Sequence, residues 1–287
     1  MERTSQYMFL GHYSQDSIRN YLRELRYFFV HYGDVPVQQF CADHVVQYLL
    51  YLNKTLGCSR TKCHGAAQSI SFFFRNVLQK PLVLPTLIYP RKATKLPPVM
   101  SQQEIKALID TIQNVKHRTV VMLLYSTGMR LREISKLKIT DIDSKAMQIK
   151  VVQGKGSKDR FTLLSQQVLL ELRAYYLIYR PQEYLFNGAQ KGRPLSLRSI
   201  QHLVKIALAR LGLQSKRYSV HTIRHSFATH LVENGTDLHT VKELLGHSSL
   251  QTTSRYLHLS AKHRQSVVNP YDVLPGEEQP SGSKTKH

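Results

Sequence analysis

Four segments of the chain gather side chains suited to work on a charged oxygen. The first is Thr127-Gly128-Met129-Arg130-Leu131-Arg132-Glu133, and the second is Gly154-Lys155-Gly156. The third, His221-Thr222-Ile223-Arg224-His225-Ser226-Phe227-Ala228-Thr229-His230, opens on an imidazole and a guanidinium one turn apart on one helix face. The fourth is Leu244-Leu245-Gly246-His247-Ser248-Ser249, followed by Thr252-Thr253-Ser254-Arg255-Tyr256-Leu257-His258, with Tyr256 nine residues past His247. Singly, each has an ordinary reading: a solvated arginine, a hairpin tip, or a capped helix end with a cation near it. The glycines around Lys155 lack the order of a nucleotide-binding loop, Gly-x-x-x-x-Gly-Lys-Ser/Thr. Together, Arg130, Lys155, His221, Arg224 and His247 form a cationic set without a carboxylate cluster. Such a set suits a phosphodiester, whose non-bridging oxygens carry the charge that a reaction must stabilise. Tyr256 supplies a nucleophile on the next helical segment.

The elements that must hold these residues are mostly helical. Ser14-Gln15-Asp16 offers a cap, and Ile18, Tyr21, Leu22, Leu25, Phe28 and Phe29 recur at helical spacing up to Gly33. Arg19, Arg23 and Arg26 lie on the other faces of that helix and are candidate DNA contacts. Cys41-Ala42-Asp43 opens a second helix, and a third runs from Ser59 to about Leu78. Pro81, Pro85, Pro90, Pro97 and Pro98 then break both helix and strand, which makes an extended linker. Its Arg91, Lys92 and Lys95 are further DNA-contact candidates. Ser101-Gln102-Gln103-Glu104 has the order of a capping box. A buried helix is expected over 117–125, another from Arg130, and a strand pair at 147–152 and 160–164 flanking the Lys155 turn. Arg132, Lys158 and Arg160 complete the DNA-contact candidates. Helices are expected at about 165–180, 196–211, 221–234 and 237–245. The domains read as 1–84 helical, 85–100 linker, 101–274 catalytic, and 275–287 a disordered tail.

Charge and cysteine usage bound the class. The chain has 287 residues and a formal net charge of +21. The excess is +7 over the first hundred residues and +13 over 101–258, so it is not a basic tail on a neutral body. It favours a polyanionic partner, nucleic acid before an anionic membrane surface. Three cysteines, Cys41, Cys58 and Cys63, suggest a reducing compartment. Cys58, Cys63 and His64 imitate a metal cluster but lack an evident fourth ligand, so no metal is expected. No apolar run reaches the roughly 20 residues of a membrane span, and the start lacks a secretion pattern. The expected location is the cytoplasm.

The stretch from His221-Thr-Ile-Arg-His-Ser-Phe-Ala-Thr-His230 through Gly246-His247 to Tyr256 resembles the signature of the tyrosine recombinases, or phage integrase family. The likeness is to bacterial Xer-type and integrase-like members, and it extends over nearly the whole chain. It implies a mainly α fold with a small β-sheet: a helical, SAM-like core-binding domain followed by an α+β catalytic domain. It implies a site-specific recombinase that cuts and rejoins double-stranded DNA through a 3′-phosphotyrosyl link, without cofactor or ATP. Tyr256 matches the nucleophile, Lys155 the general acid, and His221 a residue assisting proton removal. Arg130, Arg224 and His247 match the groups that hold the non-bridging oxygens, and Glu133 a residue orienting Arg130. Arg132 departs from the small residue that many relatives carry. A phenol with an ordinary pKa near ~10 needs help, and the surrounding cations are expected to favour its phenolate. The resemblance further implies a homotetramer on synapsed DNA and a monomer or dimer when free. Accessory DNA-bending proteins or a second recombinase stay open, and residues 257–274 are expected to dock on a neighbour. A metal-dependent nuclease, a non-catalytic DNA-binding protein and a type IB-like topoisomerase are the rival readings.

Overall fold

Apolar residues recur every three or four positions in both halves of the chain, and the result is a mainly helical protein with one small sheet. A computed structural model describes residues 1–80, 97–152, 159–190 and 192–259, with only the backbone of His258 and Leu259. The chain divides into two units, Met1–Thr94 and Lys95–His287.

The first unit holds α1 (Glu2–Leu10), α2 (Gln15–Tyr32), α3 (Ala42–Leu50) and α4 (Arg60–Phe72). Ser14 and Ser59 cap α2 and α4 by accepting from the backbone N–H of Ser17 and Lys62. Each such cap contributes about 1 kcal/mol. α3 and α4 continue into π turns, Tyr51–Thr55 and Phe73–Val77. Leu25, Phe28, Val45, Tyr48, Ala66 and Ile70 form the core, with Phe28 5.0 Å from the Phe40 ring and 5.2 Å from Tyr48. Glu24 is buried among them and is paired with Lys62 and Arg23, as a buried carboxylate must be. Arg19 pairs with Asp16 one turn before it. The guanidinium groups of Arg19 and Arg23 remain more than half exposed, and Arg26 is exposed.

The second unit begins with the capping box. Glu104 N–H donates to Ser101 Oγ at 3.1 Å, and Ser101 N–H donates to Glu104 Oε2 at 2.8 Å, opening α5 (Gln102–Asp110). At the centre runs α6 (Val115–Thr127), where Val120, Val121, Leu123 and Leu124 are all buried. A helix with no exposed residue must be surrounded, and α5, α8 (Gln166–Tyr179), α9 (Leu197–Arg210) and α10 (Val220–Glu233) pack around it. The antiparallel sheet runs β1 (Ile142–Asp143), β2 (Gln148–Val151), β3 (Arg160–Leu163). Ile149 and Val151 face inward on β2, opposite Thr162 and Arg160. The buried Thr162 hydroxyl donates to the Thr127 carbonyl, which ties the sheet to the end of α6. α7 (Leu131–Lys136) follows the α6 terminus; α11 (Leu238–Leu245) and α12 (Leu250–Leu259) complete the unit.

Gly128 makes the turn from α6 toward α7 at φ +58°, the left-handed region. A Cβ there would lie 2.3 Å from Phe227 Cδ1 and 2.9 Å from Leu245 Cδ2. Gly128→Ala therefore combines a left-handed backbone cost of about 1–2 kcal/mol with overpacking of about 1–3 kcal/mol. The expected result is a destabilised protein in urea unfolding; a midpoint equal to that of the parent would refute it.

Candidate active site

The site is organised by the C-terminus of α11. The last turn of a helix leaves carbonyl oxygens without helical donors, and the helix dipole makes that end negative. Here three successive carbonyls each receive a different arginine. Arg160 Nε donates to Leu244 O at 3.0 Å, Arg224 Nη2 to Leu245 O at 2.7 Å, and Arg130 Nη2 to Gly246 O at 2.9 Å. Gly246 ends the helix at φ +62°, and a Cβ there would meet Arg160 Cδ at 2.7 Å. The next residue, His247, is thereby set beside the arginines.

Glu133 ties two of these arginines together. Arg130 is the N-cap of α7; its N–H donates to Glu133 Oε2 at 2.7 Å and its Nη1 to Oε1 at 2.9 Å. Arg160 approaches from β3 with Nη1 2.9 Å from Oε1 and Nη2 2.7 Å from Oε2. Burial acts to raise the Glu133 pKa. Hydrogen bonds from Arg160 and its charge, then those from Arg130, overcome burial and hold it at about 2. The resemblance assigns Glu133 to orienting Arg130, and its carboxylate accepts from both the Arg130 backbone and guanidinium. Arg160 differs from its sequence assignment as a DNA contact: its side chain is 10 % exposed and committed inward. A buried carboxylate with one cation on its own helix recruited a second from the strand.

Arg224 projects from the second turn of α10 and is 6 % exposed. Its Nη1 donates to the Gly128 carbonyl, and its Nη2 also lies 3.1 Å from His247 Nε2. Burial, then the Arg130 charge, lowers its pKa to about 10. A guanidinium can only donate, so His247 Nε2 accepts, and the ring proton sits on Nδ1, 2.9 Å from Thr253 Oγ1. Burial first, then Arg224 and Arg130, pushes His247 down to about 3, so the ring is neutral. Both of its nitrogens are engaged within the protein.

Tyr256 on α12 is 1 % exposed. Its ring lies parallel to His247, at 6.3 Å between centroids and 12° between planes. Its hydroxyl meets His225 Nδ1 at 3.1 Å. Burial raises the phenol pKa and outweighs Arg224, Arg255 and Arg130, which act to lower it. The cations act in the expected direction, but in this state desolvation outweighs them. Burial, then Arg255, Arg224 and His221, lowers His225 to about 4.

Of the sequence candidates, Arg130, Glu133, Arg224, His247 and Tyr256 converge here. His221 is exposed in the first turn of α10, one turn before Arg224, and Arg132 is exposed on α7. Lys155, Lys158, Arg91, Lys92 and Lys95 lie outside the described residues. His225 and Thr253 lie within the third and fourth segments but carry no assigned role there; the structure makes both of them site neighbours. Among the described residues no group of three His, Cys, Asp or Glu side chains is placed to hold a metal ion.

Residues 98–263 match the Phage integrase family, and residues 1–83 match the phage integrase N-terminal SAM-like domain. The integrase/recombinase by name y4qK of Sinorhizobium fredii is 34 % identical over 96 % of this chain and 89 % of its own length. Tyrosine recombinase XerD of Staphylococcus aureus is 31 % identical over 90 % of this chain and 92 % of its own. A crystal structure of the XerH site-specific recombinase, bound to a palindromic difH substrate after cleavage, has a TM-score of 0.73 at 21 % identity. It covers 86 % of this chain and 78 % of that one, which establishes a common fold.

Proposed function

The chain belongs to the phage integrase family of tyrosine recombinases, and on that premise we propose a division of labour among its site residues. The enzyme is a site-specific DNA recombinase that cuts and rejoins strands. In our reading Tyr256 Oη attacks a phosphorus of double-stranded DNA. The P–O bond to the 5′-oxygen breaks, leaving a 3′-phosphotyrosyl link and a free 5′-hydroxyl. Lys155 gives its proton to the departing 5′-oxygen. His221, at the exposed start of α10, assists removal of the phenol proton. Arg130 and Arg224 stabilise the charge that builds on the non-bridging oxygens, and His247 steadies Arg224 and joins them when DNA reorders the pocket. A 5′-hydroxyl from a partner strand then attacks the phosphotyrosine and frees Tyr256. The bond energy is conserved in the covalent link, so ATP is not consumed.

The observation that carries this reading is the convergence of Arg130, Arg224, His247 and Tyr256, from four separate elements, on one α11 terminus. DNA is the partner, gripped by the positive excess in both halves of the chain. Strand exchange between two duplexes calls for four protomers, each supplying one tyrosine. The cytoplasm is the fitting location, with three free cysteines and no described helix long and apolar enough to cross a membrane.

The test uses a duplex selected by binding from a random pool and nicked beside the cleaved phosphate, so that the cut strand cannot be resealed. A denaturant-resistant protein–DNA adduct is expected, and it should survive EDTA, because no step draws on a divalent ion. Binding itself should weaken steeply with salt. Tight binding with no adduct would favour a non-catalytic DNA-binding protein; an adduct lost in EDTA would favour metal-dependent chemistry.

A further inference from the structure

We propose that His225 is a positioning residue that holds the Tyr256 hydroxyl in the DNA-free protein and keeps the nucleophile inert there. The proposal rests on the reading of Tyr256 as the nucleophile. It stands on the geometry between α10 and α12. His225 Nδ1 is 3.1 Å from the Tyr256 oxygen, and the two rings are 5.9 Å apart at 46°. The His247 ring lies parallel to the phenol, 6.3 Å between centroids. Two imidazoles thus neighbour the ring, and its hydroxyl is engaged by one of them.

The partner type matters. A buried tyrosine with a purely structural role can fix its hydroxyl on the backbone, as Tyr175 does by donating to the Leu185 carbonyl at 2.8 Å. A backbone carbonyl cannot turn away. A histidine side chain can change rotamer, so the contact that Tyr256 makes is releasable. The electrostatics agree with a protonated, held phenol. Burial keeps the phenol pKa raised and the His225 pKa near 4, so the proton stays on oxygen and the imidazole is neutral. With the His225 ring proton on Nε2, the phenol donates to Nδ1 and is stabilised in its neutral form, which opposes ionisation. The groups whose charge acts to lower the His225 pKa are Arg255 from α12 and Arg224 and His221 from α10. An incoming phosphate would offset these same charges. The group that quiets the nucleophile is therefore wired, through its neighbours in sequence, to the place where the substrate binds.

The hold is read without DNA, so its failure and the failure of the recombinase reading are distinct events. The purified full chain is treated with N-acetylimidazole, and acetylation of Tyr256 is followed by mass spectrometry, with buried Tyr175 as the reference for an intact fold. In His225→Phe, which keeps a ring and removes the nitrogen, the Tyr256 rate is expected to rise roughly fivefold, the equivalent of one hydrogen bond of about 1 kcal/mol. His225→Asn, which returns a polar atom near the Nδ1 position, is expected to restore protection. An unchanged Tyr256 rate in His225→Phe, with Tyr175 still protected, overturns the proposal. If His225→Phe also unmasks Tyr175, ¹⁵N spectra of the histidine rings decide. The His225 Nδ1 resonance should differ between the parent and Tyr256→Phe; coincident resonances overturn the proposal.

Discussion

Tyr256→Phe is expected to abolish the covalent DNA adduct and all strand exchange while leaving DNA affinity within about twofold of the parent. Among the described residues, the Thr253 hydroxyl near this pocket is engaged with His247 and is not placed to take over. The loss in cleavage rate should exceed about 10³-fold, as for an enzyme deprived of the nucleophile of a covalent mechanism. The fold should survive. The ring stays in its cluster with Phe227, Val241 and Leu245, and one hydrogen bond to His225 is lost, a change of about 1 kcal/mol. Adduct formation on the nicked duplex, filter binding and urea unfolding measure the three quantities. An adduct of undiminished yield would move the nucleophile to another residue. Equal losses of binding and cleavage would mean that Tyr256 acts in DNA grip instead.

The elements that carry this site were largely legible in the sequence, and the reasons are local. α2, α4 and α5 announce themselves by a capping serine and an apolar stripe, and α6 by an apolar run. The alternation over 147–152 finds β2. Two elements escaped. α1 begins at Met1 without a side-chain cap bond and buries only Thr4 and Met8. β1 is two residues long, too short for a period to show. Residue types at spacing also pick out the members of the pocket, because guanidinium, imidazole and phenol side chains are distinctive. What they touch is not distinctive. Leu244, Leu245 and Gly246 serve through their carbonyl oxygens, and any residue owns a carbonyl. Arg160 reads as one more surface cation until the Glu133 carboxylate is seen within 2.7 Å of it. Tyr256 reads as a phenol among cations until its burial is seen. Desolvation and backbone acceptance are properties of packing, and no single-residue pattern encodes them.

That packing gives Glu133 a larger part than a simple orienting group, and its removal is the second large effect expected. The carboxylate is buried and accepts from Arg130 and Arg160 with both oxygens; the same two arginines reach on to Gly246 and Leu244. In Glu133→Ala two cations face each other without a counter-charge, next to Arg224. Breaking one partner out of a buried ion pair costs about 3–5 kcal/mol, and the expected loss in stability is of that size. The clamp on the α11 terminus loosens with it. His247 then loses its placement, and Arg130 is free to swing. Cleavage should fall at least about 10²-fold, as when a charge-stabilising donor is withdrawn, with DNA affinity changed only a few-fold.

The acid range gives an independent readout. Glu133 is held at about 2, below its ordinary 4.5, so the folded state binds fewer protons than the unfolded state between those values. Its contribution is fully present above about pH 4.5 and fades as the pH falls toward 2. The whole contribution is roughly 3 kcal/mol, from 2.5 pH units at about 1.4 kcal/mol each. Glu133→Gln keeps the shape and cannot titrate. The stability gap between parent and Glu133→Gln in urea should therefore be widest at neutral pH and close on acidification through that window. A gap that stays constant from pH 6 to pH 3 would show that the carboxylate charge does not hold the two arginines. A Glu133→Ala protein within about 1 kcal/mol of the parent would show that the α11 terminus is fixed by other means.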